Sequence, residues 1–271
     1  MMILQVRDSG AEEAVVTALR APCPLLPSRE PVGWVAGQTA LLVPVWAGVG
    51  LTVGGWLAGV GYGLAVSVLL ARAACRRGVR ALGPADRVTL VRAGLVGVCT
   101  ALVVSGWGGG AAPAGLITAV AAAALLLDAV DGHVARRTGT ASALGARFDM
   151  EVDAYLILLL SVQVAGRAGA WVVVIGAMRY AFVAAGWALP WLRAALPPRR
   201  SRKVTAAVQG VVLAAAASEA FSPSVTALAA GLALTMLTWS FGRDVRWLWR
   251  NRHRGDGRDE PVRRTAHRQP G

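Results

Sequence analysis

The stretch LLLDAVDGHVARRTGTASALGARFDMEVDAYLILLL, residues 125–160, decides how the rest of the chain is read. Apolar runs open and close it, and its acidic residues are spaced for a helix. Asp128 and Asp131 are three apart at the end of the first run, so their side chains share one helical face. Asp149 and Asp153 are four apart at the start of the second and share a face in the same way. An antiparallel helix pair turning between Arg136 and Gly145 brings the two pairs to a similar depth, as a box of four carboxylates.

Working outward, the 271 residues are 55% hydrophobic and 16% charged, with a mean hydropathy of +0.53. Soluble globular domains do not have this mix. Runs near or above the roughly 20 residues that cross a bilayer alternate with short polar or basic segments. The pattern predicts an all-α polytopic membrane helix bundle, with helices near 88–105, 113–135, 145–166, 170–190, 204–220 and 223–241. The Gly-rich stretch of about Ala40–Ala71 adds one or two extra N-terminal transmembrane helices, most simply two short ones turning near Gly54 and Gly55.

The domain expectation is a cytoplasmic or disordered segment at 1–38, the extra transmembrane region at 39–74, a catalytic membrane domain at 84–242 and a basic cytoplasmic tail at 243–271. Residues 1–30 lack the basic-then-apolar order of a signal peptide. Lys and Arg number 28 against 15 Asp and Glu, but they sit between and after the apolar runs. That placement points to anionic membrane lipid as partner and away from nucleic acid. The loops GWGGGAAP and SEAFSP carry no Lys or Arg, whereas Arg72–Arg92, Arg136/Arg137/Arg147 and Arg193–Lys203 are basic. The positive-inside rule therefore puts the acidic box on the cytoplasmic side of the plasma (inner) membrane. Three dispersed cysteines, Cys23, Cys75 and Cys99, form no CxxC pair and read as small packing residues.

Even one Asp at a helix centre costs roughly 2.5–3.5 kcal/mol to insert, and four that repel one another cost more. A cation must compensate them. With only oxygen donors in the box, two Mg²⁺ (or Mn²⁺) ions are the fitting partners, and such a pair polarises a diphosphate. Gly132 and Gly145 clear space for close approach, and the forked guanidinium of Arg136 suits phosphate oxygens. His133 reads as solvated or as a neighbour of the ligands.

Asp128, Asp131, Gly132, Ala135, Arg136, Gly145, Asp149 and Asp153 match, without a gap, DxxDGxxARx8Gx3Dx3D. This resembles the signature of the CDP-alcohol phosphatidyltransferase family (class I). PADRVTLVR, Pro84–Arg92, is similar to that family's helix-opening segment, and RKVTAAVQG, Arg202–Gly210, to a later Lys-x-Thr-x3-Gln segment. The resemblance covers about residues 84–241. It implies a six-helix CDP-alcohol phosphotransferase core, with Asp128, Asp131, Asp149 and Asp153 as metal ligands and Asp153 also as base. Gly132, Arg136, Ser142, Asp86 and Thr89 would contact the CDP donor. The implied reaction is attack of an acceptor hydroxyl on the donor's β-phosphorus with release of CMP.

The expected substrates are CDP-diacylglycerol or a similar CDP-linked donor and an alcohol or polyol-phosphate acceptor, with a homodimer as an open option. Two other readings stand beside this one: a CDP-polyol or CDP-aminoalcohol transferase with a lipid acceptor, and a cation-coupled transporter. Arg179 lies inside an apolar span, which makes it, with Lys203, a candidate for binding an acceptor phosphate. Ten tryptophans concentrate near helix ends as an interfacial belt.

Overall fold

A computed structural model describes residues 29–76, 84–138, 143–194, 196 and 200–252, with side chains described for 33–72, 86–130, 145–194, 196 and 201–252. Among the described residues eight helices follow one another: α1 Arg29–Val49, α2 Val53–Arg76, α3 Pro84–Trp107, α4 Ala114–Thr138, α5 Ala143–Ala168, α6 Val173–Ala188, α7 Arg200–Ala217 and α8 Pro223–Arg250. Short 3₁₀ turns, Ala170–Val172 and Pro190–Arg193, flank α6. The fold is all-helical, a polytopic bundle, with six helices (α3–α8) preceded by two more. Segments of α2, α3, α6 with its preceding turn, and α8 are long and apolar enough to cross a membrane.

The first helix begins at Arg29, ahead of the expected start near Ala40, so residues 29–38 belong to α1. The turn between α1 and α2 falls at Gly50 and not at Gly54–Gly55. Gly50 adopts φ +75°, a left-handed conformation open to glycine, and its N–H closes the helix on Trp46 O at 2.9 Å. Gly54 and Gly55 instead lie inside α2, where Gly55 serves close packing.

The chain forms two compact units, and the boundaries run through the continuous helices α4 and α5. The first unit holds Met1–Ala111 and Leu127–Asp149. In it α3 is the central element: 72% of its apolar window is buried, against 28% for α2, so α2 leaves most of its surface to lipid. Ala93, Val96, Cys99 and Leu102 on α3 and Leu42 on α1 are fully enclosed. A Cβ on Gly55 would lie 1.9 Å from Ser105 Oγ and 2.5 Å from Ala101 O, so hydrogen alone fits that α2–α3 crossing. Ser105 Oγ also accepts the Thr52 N–H at 3.2 Å, and Trp34 Nε1 donates to Leu90 O at 3.3 Å. Small residues set the distance, and these polar groups fix the register.

The second unit holds Ala112–Leu126 and Met150–Gly271. Gln209 Nε2 on α7 donates to Ala233 O on α8 at 2.8 Å, and Thr118 Oγ1 on α4 donates to Ala214 O on α7 at 3.4 Å. Ser222 caps α8 by accepting the Val225 N–H, with Pro223 in the first turn. Arg167 at the end of α5 pairs with Glu219 between α7 and α8 at 3.6 Å, while Arg202 and Asp244 pair at 3.5 Å at the other ends of α7 and α8. The loops following α5 and α7 therefore share one end of this unit. Exposed Trp187 and Trp249 lie near helix ends, in keeping with an interfacial belt, whereas Trp239 falls well inside α8, which runs on past the expected end near residue 241 to Arg250.

Gly176 on α6 meets α5 so closely that an added Cβ would lie 2.2 Å from Leu158 Cα, which is backbone and cannot step aside. Gly176→Ala should destabilise the purified protein by about 1–3 kcal/mol. Gly61→Ala, where a Cβ meets nothing within 4 Å, should leave thermal unfolding unchanged. Equal melting temperatures for the two variants would contradict the packing described.

Candidate active site

The site is built on α3. Pro84 starts this helix with a fixed φ, and Asp86 sits in the first turn, where the helix dipole favours a negative charge. Asp86, Thr89 and Arg92 follow at three-residue intervals along one stripe, and all three are buried. Arg92 is sealed completely, with none of its side chain exposed.

A buried guanidinium is tolerated only when carboxylates meet it in good geometry. Arg92 Nη1 donates to Asp128 Oδ1 on α4 at 2.6 Å. Its Nη2 donates to Asp149 Oδ1 on α5 and to the Asp149 backbone carbonyl at 3.2 Å. One fork thus ties three helices of the first unit at the level of the signature aspartates. The carboxylates stay partly open: Asp128 is 41% and Asp149 33% exposed in their side chains. The cation is shut in while the acids keep accessible oxygen.

Asp153 lies one turn beyond Asp149 on the continuous α5, a spacing the helix itself fixes. Asp128, Asp149 and Asp153 each offer a carboxylate oxygen, all within 4.8 Å of one another. An all-oxygen donor set of this kind fits a hard divalent cation such as Mg²⁺ or Mn²⁺.

Of the other residues expected at the site, Asp86 and Thr89 are buried on the same face of α3 as Arg92. Asp131, Gly132 and Arg136 fall in the last turns of α4, where side chains lie outside those described, and Ser142 lies outside the described residues altogether. Arg179 belongs to the second unit, where its Nη2 donates to Glu151 Oε1 and its Nη1 lies 3.2 Å from Met150 Sδ. An acidic partner therefore accounts for this arginine within an apolar span. Lys203 is exposed on α7, with no ion pair or hydrogen bond among the described residues.

Sequence reasoning places Arg92 in a basic connecting segment and overlooks it as the counter-charge of the aspartates. The available signal is an arginine three residues after Thr89, inside a helix that carries no further charge beyond it. Glu151 is missed because it falls at a variable position of the signature. Its two-residue offset from Asp149 turns it to another face of α5.

The model of the CDP-alcohol phosphatidyltransferase family matches residues 82–239, more than half of the chain. The chain belongs to the CDP-alcohol phosphatidyltransferase family. Comparison with curated proteins gave no match, and neither did comparison with solved structures. Family membership makes the protein a transferase that moves a phosphate-linked group from a CDP-alcohol to an alcohol acceptor. The membrane-capable helices agree with a membrane protein. Helices α1 and α2 both precede the matched region.

Removing the guanidinium leaves Asp128 and Asp149 facing each other beside a buried void. Arg92→Ala should cost about 3–5 kcal/mol of stability, as loss of one partner from a buried ion pair does. Arg92→Lys should recover part of this loss by restoring the charge without the fork. Thermal unfolding of the purified variants measures both, and an unchanged melting temperature for Arg92→Ala would contradict a structural role for the pair.

Proposed function

We propose that this protein is a Mg²⁺-dependent membrane enzyme of phospholipid biosynthesis that transfers a phosphatidyl group from CDP-diacylglycerol to a polyol or polyol phosphate, releasing CMP. The observation that carries this reading is the cluster of Asp128, Asp149 and Asp153, two of them held by the sealed Arg92, on an unbroken family signature. The basic segments on the aspartate side support an active site facing the cytoplasm of a bacterial plasma membrane.

The aspartates Asp128, Asp131, Asp149 and Asp153 would hold two divalent ions. Such ions, when bound, polarise the diphosphate and offset charge on the departing CMP. Gly132, Arg136, Ser142, Asp86 and Thr89 bind the CDP moiety. Asp153 accepts the proton of the acceptor hydroxyl as its oxygen attacks the β-phosphorus, the new P–O bond forms, and the bond to CMP breaks. Arg92 positions Asp128 and Asp149, so their carboxylates face the donor in one arrangement before it binds. Arg179 and Lys203 contribute to the acceptor side. Arg179 does so through the Glu151 pair that fixes its guanidinium.

The test is CMP release by purified protein with Mg²⁺ and CDP-diacylglycerol, against glycerol 3-phosphate, inositol 1-phosphate, inositol and serine. One acceptor should yield a new lipid, and a chelator should stop the reaction. Asp153→Asn should lower turnover by about 10²–10⁴-fold while donor binding stays near wild type. A near-normal rate would remove Asp153 as the base. Metal-dependent cation flux without any CMP would overturn the enzymatic reading in favour of transport.

A further inference from the structure

A second feature lies in the other unit, on the face of α8. Leu234, Thr235, Thr238, Trp239, Gly242, Arg243 and Arg246 line a recess of about 620 Å³. Their numbering gives two adjacent helical ridges, 234–238–242–246 and 235–239–243, with the recess running along both. Gly242 makes the notch: a Cβ there would meet no heavy atom within 4 Å. From Leu234 to Arg246 the helix rises about 18 Å, close to the ~15 Å of hydrocarbon that one leaflet provides.

The chemistry changes along this length. Leu234 and the exposed Trp239 form the apolar part, and Thr235 turns its hydroxyl back to Gly231 O at 2.8 Å. At the other end stand two arginines. Arg243 is steadied by donating to Ser201 Oγ on α7 at 2.7 Å, while Arg246 makes no ion pair or hydrogen bond among the described residues. No acidic residue lines the recess, and Asp244 next to it is buried and engaged by Arg202 at 3.5 Å.

We propose that this face of α8 binds one anionic phospholipid, its acyl chain along Leu234, Thr238 and Trp239 and its phosphate between Arg243 and Arg246. An apolar slot of one-leaflet length that ends in a guanidinium without an ion pair among the described residues is complementary to such a lipid, because basic residues near the membrane surface attract anionic headgroups. A zwitterionic lipid gains the apolar contact without the net charge attraction. The bound lipid is a tenant of the helix surface and takes no part in the transfer reaction.

The test uses full-length protein, delipidated in detergent and titrated with phosphatidylglycerol or phosphatidylcholine, with retained lipid counted by native mass spectrometry. The wild type should retain one phosphatidylglycerol, lose phosphatidylcholine, and melt at a higher temperature with the anionic lipid. Gly242→Leu fills the notch without touching packing, and Arg246→Gln removes the free charge. Each should weaken phosphatidylglycerol roughly tenfold, the factor that about 1.4 kcal/mol carries, with an unchanged melting temperature in phosphatidylcholine. Equal retention of the two lipids, undiminished binding by Gly242→Leu, or an equal rise in melting temperature from inorganic phosphate alone would overturn the proposal.

Discussion

The enclosed guanidinium of Arg92 constrains the first unit of this protein. Arg92 has no contact with solvent, so its charge must be met inside the first unit, and it is met by Asp128 from α4 and Asp149 from α5. The requirement runs both ways. The aspartates need a cation to approach each other, and the arginine needs them to be buried at all. Because a guanidinium offers parallel donors at fixed angles, the pair of ion pairs fixes where both helices lie around α3. Asp128 and Asp149 also group with Asp153 as three carboxylates whose oxygens could hold a divalent ion.

The two helices ahead of the family region serve this arrangement mechanically. Without α1 and α2, the face of α3 bearing Ala101 and Ser105 would meet lipid. With them, α3 becomes the most enclosed of the membrane-capable helices. The contact is close enough that Gly55 admits no side chain, and the Ser105 hydroxyl, met by the Thr52 N–H, anchors the α1–α2 turn. In hydrocarbon, association gains little from burying apolar surface, so close approach and a few hydrogen bonds carry it. A rigidly held α3 keeps the Arg92 stem from shifting, and through Arg92 the aspartates.

Much of this was legible in the sequence because it is local. The spacing of Asp128 and Asp131, and of Asp149 and Asp153, states which helix faces they share, and no long-range information is needed. The apolar runs likewise announce the helices. What was not legible depends on contacts between distant positions. Arg92 meets partners 36 and 57 residues away, and its place after Thr89 states which helix it lies on but not which carboxylates it meets. Arg179 looked uncompensated because Glu151 sits among signature residues that face elsewhere. The first turn was misplaced for another reason: in a stretch with many glycines, permissiveness marks several possible turns, and packing against α3 chose Gly50 by drawing Gly55 into the helix crossing.

The central claim is that the aspartates around Arg92 form a divalent-metal site. Titrating purified protein with Mn²⁺ in the presence of CDP-diacylglycerol, and counting bound ions by electron paramagnetic resonance, addresses it without relying on turnover. The account predicts about two tightly held ions per chain, the number that a paired-metal phosphoryl centre needs, and their loss in Asp128→Asn and Asp149→Asn. Binding that stays the same in those variants, or no tight binding in the wild type, would contradict it.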